Sequence, residues 1–330
     1  MRPPGFWARD PETPGWAARV LFPMAWLYAR ATARRVSRGP IFRASVPVLC
    51  IGNLNIGGTG KTPTVIALAE LLRGRGRQVG IVSRGYGGHL EGPVKVDPLG
   101  HTAREVGDEP LLLAAFAETW IAKKRAEGAA AAQTFGVDVI LLDDGFQNPD
   151  IAKDLSIVVV DAASGFGNGR VIPAGPLREP VGAGLGRADL LLVIGPGNEQ
   201  VSFSEKWGRL VSVPQIKATL EPLQTGIDWA GTRVLAFAGI GNPAKFFATL
   251  RGLGADVIRA EALDDHQPLS ESLMKRLELE ALALDAQLVT TEKDAVRLPA
   301  SFQQKVLTLP VRLKFQDDTE LAAALDRLGL

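Results

Sequence analysis

The feature that most constrains the fold is a glycine-rich segment, GNLNIGGTGKTP, at residues 52–63. It follows the apolar run VPVLCIG and precedes a segment with helical character that starts near residue 64. Glycines let successive backbone N–H groups turn toward a phosphate at a helix N-terminus, while a lysine reaches the terminal phosphate oxygens and a hydroxyl binds Mg²⁺. The segment therefore predicts a loop that binds nucleotide phosphates.

The predicted loop uses a variant of the usual G-x-x-x-x-G-K-[ST] spacing, because Asn55 stands where that pattern has its first glycine. We expect Asn to be tolerated there, since it enters left-handed backbone conformations more readily than most residues. The alternative, a purely structural glycine-rich turn, leaves the Lys-Thr pair unexplained. The residues predicted to bind the nucleotide are Asn55, Ile56, Gly57, Gly58, Thr59, Gly60, Lys61 and Thr62.

Short apolar runs alternate with helix-length segments from residue 46 onward, which predicts an α/β fold: a P-loop NTPase-like, mostly parallel sheet flanked by helices. The predicted strands are VPVLCIG, QVGIVS, VDVILLDD, LSIVVVD and ADLLLVIG, most of them apolar throughout, as strands covered on both faces are. Residues 64–73 and 110–125 are predicted to be helices, and the stretch after residue 195 shows no clear periodicity.

A second group of elements begins near residue 233, with RVLAFAG as a strand, NPAKFFATLRGLG as a helix and AQLVTT as a buried strand. This predicts an N-terminal interfacial helix at residues 1–40, a phosphate-loop domain at 41–225 and a smaller α/β domain at 226–330. Glycines 239 and 241 form a lone G-x-G without the third glycine of a dinucleotide-binding motif, so a tight turn is expected there.

The N-terminal segment is basic and aromatic. Residues 1–45 hold eight arginines and two acidic residues, although the whole chain has a net charge of only +1, which argues against a general nucleic-acid binder. The apolar stretch VLFPMAWLYA is too short to span a bilayer, and the long preceding region with acids and prolines does not resemble a signal peptide.

Two arrangements remain for this segment. In the first, a helix lies at a membrane surface, with the aromatic side chains Trp7, Trp16, Phe22, Trp26 and Tyr28 at the headgroup level and the arginines near anionic lipid. In the second, the helix packs on its own domain with its arginines in solvent. The first arrangement is favoured, because three of the six tryptophans lie within the first 26 residues.

Acidic side chains follow the strand VDVILLDD, where a phosphate-loop enzyme needs a Mg²⁺ ligand. A turn or helix cap accounts for one aspartate there better than for both Asp143 and Asp144. In VGDEP, Asp108 and Glu109 fit two interpretations equally well: a helix cap with a first-turn charge, or acidic residues of the active site.

The three histidines lack metal-ligand spacing, so no zinc site is expected. Cys50 is expected to be a small buried side chain.

Eight motifs occur in one order along the chain: GNLNIGGTGKTP, SRGYGG, GDEP, DDGFQ, PAGPLREP, AGIGNP, DDHQ and TTEKDAVRL. In this order they resemble the tetraacyldisaccharide 4'-kinase family, from the N-terminal helix almost to the C-terminus. The resemblance implies ATP- and Mg²⁺-dependent phosphorylation of the 4'-hydroxyl of a tetraacyl glucosamine disaccharide 1-phosphate, which gives the lipid A precursor lipid IVA. It also implies a peripheral enzyme at the cytoplasmic face of the bacterial inner membrane, with neither nucleic acid nor an obligate protein as partner.

The resemblance also implies roles for matching residues. Asp108 matches the proposed base for the sugar hydroxyl and His266 its partner, while Lys61 and Arg178 would meet phosphate oxygens. The metal site would comprise Thr62, Glu109, Asp143 and Asp144, and the substrate-binding residues would be Arg84, Tyr86 and Glu179. One position departs from the family pattern, because Asn148 stands where the family often has His.

Two other functions share the phosphate loop. A membrane-associated ATPase switch usually carries a lysine directly before the paired glycines, where this chain has Ile56. A kinase of a soluble metabolite would leave the aromatic N-terminal segment without a use.

Overall fold

The structure is a computed structural model that describes residues 3–265 and 267–330. The sequence prediction for His266 therefore lies outside the described residues. In the described ranges the strands are β1 (Val48–Gly52), β2 (Val79–Ser83), β3 (Val94–Lys95), β4 (Glu118–Ile121), β5 (Val139–Asp143), β6 (Leu155–Asp161), β7 (Leu190–Ile194), β8 (Gln215–Pro222), β9 (Arg233–Ala238), β10 (Asp256–Ala262), β11 (Gln287–Thr291), β12 (Val306–Leu309) and β13 (Val311–Phe315).

The helices lie before, between and after these strands. They are α1 (Trp16–Val20), α2 (Phe22–Val36), α3 (Lys61–Gly74), α4 (Ala103–Val106), α5 (Asp108–Leu113), α6 (Arg125–Phe135), α7 (Val181–Leu185), α8 (Gly197–Trp207), α9 (Pro243–Gly252), α10 (Glu271–Ala283), α11 (Glu292–Ala295), α12 (Ala300–Gln303) and α13 (Thr319–Asp326). Short 3₁₀ helices lie at Gly5–Ala8 and Gly208–Leu210.

Across residues 3–265 and 267–330 the strands form two sheets. The large sheet has nine strands in the order β13-β8-β7-β6-β1-β5-β2-β4-β3, and the small sheet has four in the order β10-β9-β11-β12. Neighbouring strands of the large sheet are parallel, except for the outermost pair at each edge. The predicted α/β class, with a mostly parallel sheet flanked by helices, is confirmed.

Strand β1 lies in the interior of the large sheet, between β5 and β6, and both of its faces are buried. Leu49 and Ile51 point into the core beneath α3, whereas Val48 and Cys50 point into the core on the opposite face. This explains why the run is apolar at every position, as expected for a strand covered by helices on both sides. Burial raises the pKa of the Cys50 thiol to about 11, consistent with the predicted buried side chain.

The prediction of one helix over residues 110–125 is wrong. Helix α5 ends at Leu113, and strand β4 follows before α6 begins at Arg125. The segment Thr119-Trp120-Ile121 is β-branched and aromatic, and it is buried where β4 pairs with β2. The stretch after residue 195, which lacked clear periodicity, forms α8 and β8.

The last twenty residues return to the large sheet, which differs from the predicted domain of residues 226–330. Strand β13 pairs antiparallel with β8, and α13 packs on the core that also contains α3. Leu313, Leu321 and Leu325 are buried in that core. Their burial on the α3 face explains the return, and the small sheet is built from residues 233–309 alone.

Gly52 ends β1, and a side chain there would collide with Phe146. A Cβ atom at Gly52 would lie 2.4 Å from the Phe146 Cβ, whereas one at Gly74, the last residue of α3, would meet nothing within 4 Å. Because an overpacked core forces backbone shifts, we expect Gly52→Ala to lower the free energy of unfolding by about 1–3 kcal/mol.

Gly74→Ala is the matched control. It is expected to leave stability unchanged or to raise it by up to about 1 kcal/mol, since alanine is the better helix former. Urea unfolding followed by circular dichroism measures both variants. Equal stability of the two would contradict the packing seen at Gly52.

Candidate active site

The phosphate loop connects β1 to α3, as predicted. Gly57 has φ of 108° and Gly60, the residue before α3, has φ of 95°, conformations that favour glycine. A Cβ at Gly60 would also lie 2.6 Å from the Ile194 Cδ1 atom. Two of the glycines in the motif are therefore required by the backbone, and the loop ends with Lys61 as the first residue of the helix.

Two asparagines hold the loop in place. The Asn53 Nδ2 group donates to the Thr59 Oγ1 atom at 3.0 Å and to the Gly57 carbonyl at 3.3 Å. The buried Asn55 Nδ2 group donates to the Gly165 carbonyl at 2.9 Å. Among the described residues, positive φ outside glycine occurs at positions 144 and 285 but not at 55. The left-handed backbone expected for Asn55 is therefore wrong, and its side-chain contact is the reason for Asn at this position.

Asp143 lies at the carboxyl end of β5 and is buried. Its Oδ2 atom accepts a hydrogen bond from the Ser83 hydroxyl at 2.9 Å, and its Oδ1 atom is buried without a hydrogen-bond partner among residues 3–265 and 267–330. Burial raises the pKa of Asp143 to about 7, and the nearby carboxylates of Glu109 and Asp144 add to the shift. The site therefore concentrates negative charge that nearby cations only partly offset.

Asp144 has φ of 50°, an uncommon backbone conformation for a residue other than glycine. Its carboxylate accepts hydrogen bonds from the Arg178 Nη1 group at 2.9 and 3.1 Å, and the Lys61 Nζ atom lies 3.7 Å away. Arg125 donates to its backbone carbonyl at 2.7 Å. Burial works against the charged form, but Lys61, Arg178 and Arg125 together lower the pKa of Asp144. The structure thus joins three sequence-predicted residues, Lys61, Asp144 and Arg178.

Asp108 is the first residue of α5, not its N-cap, which is Gly107 with φ of 91°. The Asp108 Oδ1 atom accepts the Glu109 backbone N–H at 2.9 Å, so the carboxylate also satisfies one amide of the first turn. The other oxygen faces the small sheet, where Arg297 Nε lies 3.8 Å from Asp108 Oδ2. The next residue, Glu109, accepts a hydrogen bond from Lys293 at 3.1 Å.

The remaining predicted substrate-binding residues fall into two groups. Glu179 is buried, and its carboxylate binds Arg187 at 2.5 Å and Gln147 at 2.9 Å, so it orders the loop that carries Arg178. Arg84 and Tyr86 are exposed. Their loop packs on the segment before α5, because a Cβ at Gly88 would lie 2.5 Å from the Glu105 carbonyl oxygen.

Asn148, where the resemblance leads one to expect His, has a local structural role. Its Oδ1 atom accepts the Asp150 backbone N–H at 3.0 Å, and its Nδ2 group donates to the Asp150 carboxylate at 3.2 Å. The side chain closes a turn after β5 and thereby shapes the chain that follows the two aspartates.

The residues at this edge of the sheet fit a Mg²⁺ ion that shares its ligands with a phosphate. Asp143 offers a buried oxygen without a partner in the described chain, and Thr62 offers a half-buried hydroxyl. Within that same part of the chain, no group of three or more His, Cys, Asp or Glu side chains is arranged to hold a metal by itself. Mg²⁺ is typically bound by one or two carboxylates, water and substrate phosphates, which matches this donor set.

Comparison with known proteins decides the family. A family model described as "Tetraacyldisaccharide-1-P 4'-kinase" matches residues 17–329. The chain belongs to this family. A tetraacyldisaccharide 4'-kinase from Dinoroseobacter shibae is 62% identical over 99% of this chain and 98% of its own length. A second, from Jannaschia sp., is 57% identical over 99% of each chain.

A solved structure also supports membership of the tetraacyldisaccharide-1-P 4'-kinase family. The crystal structure of the "apo" form of the family's enzyme from Aquifex aeolicus in complex with ATP is 27% identical in sequence. It superposes with a TM-score of 0.76 and covers 95% of this chain and 99% of that one. The resemblance inferred from the motifs is confirmed.

Sequence reasoning about this family member missed four residues of the site: Asn53, Ser83, Arg125 and Gln147. Ser83 and Gln147 lie inside the motifs SRGYGG and DDGFQ, and Asn53 lies inside the phosphate-loop motif, so the motifs could have indicated that they belong to the site. Arg125 lies in none of the motifs. It fell at the end of the wrongly predicted helix over residues 110–125, and only the folded chain brings it beneath β5.

The buried charge at Asp143, which nearby cations only partly offset, predicts a gain in stability when that charge is removed. In metal-free buffer at pH 8 we expect Asp143→Asn to raise the free energy of unfolding by about 1 kcal/mol, because the cost of burying the charge and the repulsion from Glu109 and Asp144 both disappear. Asp138→Asn, an exposed position just before β5, is the control and should give no gain. Denaturant unfolding with EDTA present measures both. A less stable Asp143→Asn protein would contradict this view of the site.

Proposed function

We propose that this chain transfers the γ-phosphoryl group of ATP to the 4'-hydroxyl of a tetraacyl glucosamine disaccharide 1-phosphate, giving the lipid A precursor lipid IVA. The observation that supports this most directly is membership of the tetraacyldisaccharide-1-P 4'-kinase family together with a phosphate loop whose lysine and glycines have the expected geometry. The relatives' names do not favour the alternative of an ATPase switch without a phosphorylated acceptor.

The binding step uses the amides of residues 55–62 and the side chain of Lys61, which would cradle the phosphates. Lys61 and Arg178 both contact Asp144 in the structure, so an incoming phosphate competes with Asp144 for these cations. Their charges would then stabilise the negative equatorial oxygens of the transferring group. Phosphoryl transfer needs positioning and charge neutralisation more than covalent participation by the protein, and this arrangement supplies both.

The acceptor side of the reaction is assigned to Asp108. A carboxylate in contact with the sugar hydroxyl would orient it and take its proton as the bond to phosphorus forms, with His266 as its partner. Of the predicted metal residues Thr62, Glu109, Asp143 and Asp144, Asp143 and Thr62 would hold Mg²⁺, since Asp144 is paired with Lys61 and Arg178, and Glu109 with Lys293. When bound, Mg²⁺ neutralises charge on the phosphate oxygens. Arg84, Tyr86 and the loop ordered by Glu179 would face the disaccharide.

The decisive experiment is direct. Purified protein with Mg-ATP and synthetic tetraacyl disaccharide 1-phosphate is expected to yield a lipid that carries one additional phosphoryl group at the 4' position, detected by mass spectrometry. ATP hydrolysis without a phosphorylated lipid would favour the ATPase switch and overturn the proposal.

Lys61→Ala tests the role of the phosphate loop. We expect kcat to fall by roughly 10²–10³-fold, because a preorganised charge on the transferring group is lost. Lys305→Ala, which removes a lysine that pairs with Glu278 on the surface near the small sheet, is the control and should keep wild-type turnover. Wild-type kcat in the Lys61 variant, measured by quantified lipid product, would refute the assignment.

The substrate is a lipid, and we propose that α1 and α2 bring the enzyme to the membrane surface. Among residues 3–265 and 267–330, no helix combines the length and apolar character that crossing a bilayer requires. The two helices pack on the large domain through small side chains, Ala18, Ala25 and Thr32. Most large apolar side chains point outward instead, although Leu21 packs partly buried against the core. The exposed ones are Trp16, Val20, Phe22, Met24, Trp26, Leu27 and Tyr28.

This pattern is the reverse of an ordinary surface helix, which buries its large apolar residues. Exposed aromatic and aliphatic side chains next to arginines suit the interface of an anionic bilayer. Arg30 stacks on the Trp26 ring at 4.9 Å, and Arg34 and Arg35 lie in the last turn of α2. The proposed location is the cytoplasmic face of the inner membrane, where ATP and anionic headgroups meet.

Vesicle sedimentation tests this surface. Burying a Leu or Met side chain stabilises by about 1.5–3 kcal/mol, so Met24→Gln/Leu27→Gln is expected to weaken binding to anionic phosphatidylglycerol vesicles by at least about tenfold. The control, Leu279→Gln/Leu282→Gln, changes two equally exposed side chains on α10 and should bind as wild type does. Equal loss in both variants, or no loss in the first, would contradict the proposed orientation.

A further inference from the structure

The motif TTEKDAVRL has no role in the proposed reaction, yet the structure brings it against Asp108 and Glu109. It forms the end of β11, helix α11 and the turn that follows. Lys293 binds Glu109 at 3.1 Å, and Arg297 Nε lies 3.8 Å from Asp108 Oδ2. Two cationic side chains from α11 and the turn after it, next to the small sheet, therefore face the two acidic side chains at the start of α5 in the large domain.

Arg297 is fixed from the small-sheet side. Its Nη1 group donates to the Gln267 carbonyl at 3.0 Å, and its Nη2 group pairs with the Asp294 carboxylate. Asp294 is itself held, because its Oδ2 atom accepts the Gly239 N–H at 3.0 Å and the Thr291 hydroxyl at 2.7 Å. The guanidinium thus joins α11, the turn after β9 and the loop of the DDHQ motif.

The Nε group of Arg297 faces Asp108. The Arg297 Nε group is buried and has no hydrogen-bond partner among residues 3–265 and 267–330, although Asp108 Oδ2 is only 3.8 Å away. A hydrogen bond needs about 2.9 Å, so an approach of roughly one ångström would form it. The Arg297 side chain is 10% exposed and that of Asp108 4%, and charges this well buried are weakly screened by solvent.

We propose that Arg297 is a positioning residue that forms a hydrogen bond to Asp108 as the small sheet approaches the large domain, and thereby sets the orientation of the Asp108 carboxylate for the sugar hydroxyl. The same movement carries the loop around Gln267 with it, because Arg297 already holds that loop. This inference rests on the proposed kinase function and on Asp108 as the group that contacts the acceptor. Arg297 itself contacts neither substrate in this arrangement.

The first test separates kcat from KM. Arg297→Met should lower kcat for lipid phosphorylation by at least about tenfold, because a small misplacement of a reacting group is costly, while KM for ATP stays within about twofold of wild type. Arg297→Lys keeps the positive charge but loses the planar guanidinium, which directs N–H groups to three partners at once. Its kcat should therefore lie between those of Arg297→Met and wild type. Activity is expressed per folded molecule, from circular dichroism of each variant.

Arg276→Met is the matched control, since Arg276 lies on α10 beside the same small sheet and its ion pairs with Glu261 and Glu280 are on the surface. It should leave kcat unchanged. Wild-type kcat per folded molecule in Arg297→Met, or an equal loss in Arg276→Met, would overturn the proposal. Absence of any lipid product from the wild-type protein in the same assay would instead overturn the kinase function.

A double-mutant cycle decides whether Arg297 acts through Asp108. In an Asp108→Asn background, Arg297→Met should cost less than about twofold in the remaining rate, because the carboxylate that it orients is already gone. A merely structural arginine would cost the same factor in both backgrounds. Additive losses would therefore refute the positioning role even if Arg297→Met alone were slow.

Discussion

The site depends on the charge balance at the carboxyl edge of the large sheet. Asp143 ends β5, a strand that is buried on both sides and lies next to the strand that leads into the phosphate loop, and Asp144 follows directly. Asp144 is neutralised by Lys61 and Arg178, but Asp143 retains a buried oxygen without a partner in the described chain. A buried carboxylate oxygen without a hydrogen-bond partner lowers the stability of the fold. The proposed binding of Mg²⁺ and phosphate would offset this loss.

The same edge explains why the surrounding polar residues are placed as they are. Asn53 and Asn55 tie the phosphate loop to itself and to the loop around Gly165. Gln147 connects the Asn53 carbonyl to Glu179, and Glu179 in turn binds Arg187. These side chains form one network of hydrogen bonds that orders the loop carrying Arg178. Rigid loops of this kind hold charges in place before the substrate arrives, which is how preorganised electrostatic stabilisation works.

The two ends of the molecule differ in the surfaces that they present. At the N-terminus, small side chains pack inward and most large apolar ones face outward, an arrangement typical of a surface that binds an apolar partner. At the C-terminal half, the small sheet presents Lys293 and Arg297 to the acids of α5. The proposed acceptor base thus lies where charges from both sheets converge, while the proposed lipid surface belongs to the large domain alone.

The sequence by itself determined the class of fold, the strand before the phosphate loop, the loop itself and the paired aspartates, because each is a local pattern: a run of apolar residues, glycines at fixed spacing, and acids directly after a strand. Its errors and omissions are non-local. The helix predicted over residues 110–125 is broken by β4, whose burial depends on pairing with β2. Strand β13 returns to the large sheet because β8 offers an edge and the α3 face buries Leu313. Arg125, Arg297 and the contact of Asn55 with Gly165 likewise join residues far apart in the chain. Only the tertiary structure decides such pairings, since they depend on which surfaces become buried together.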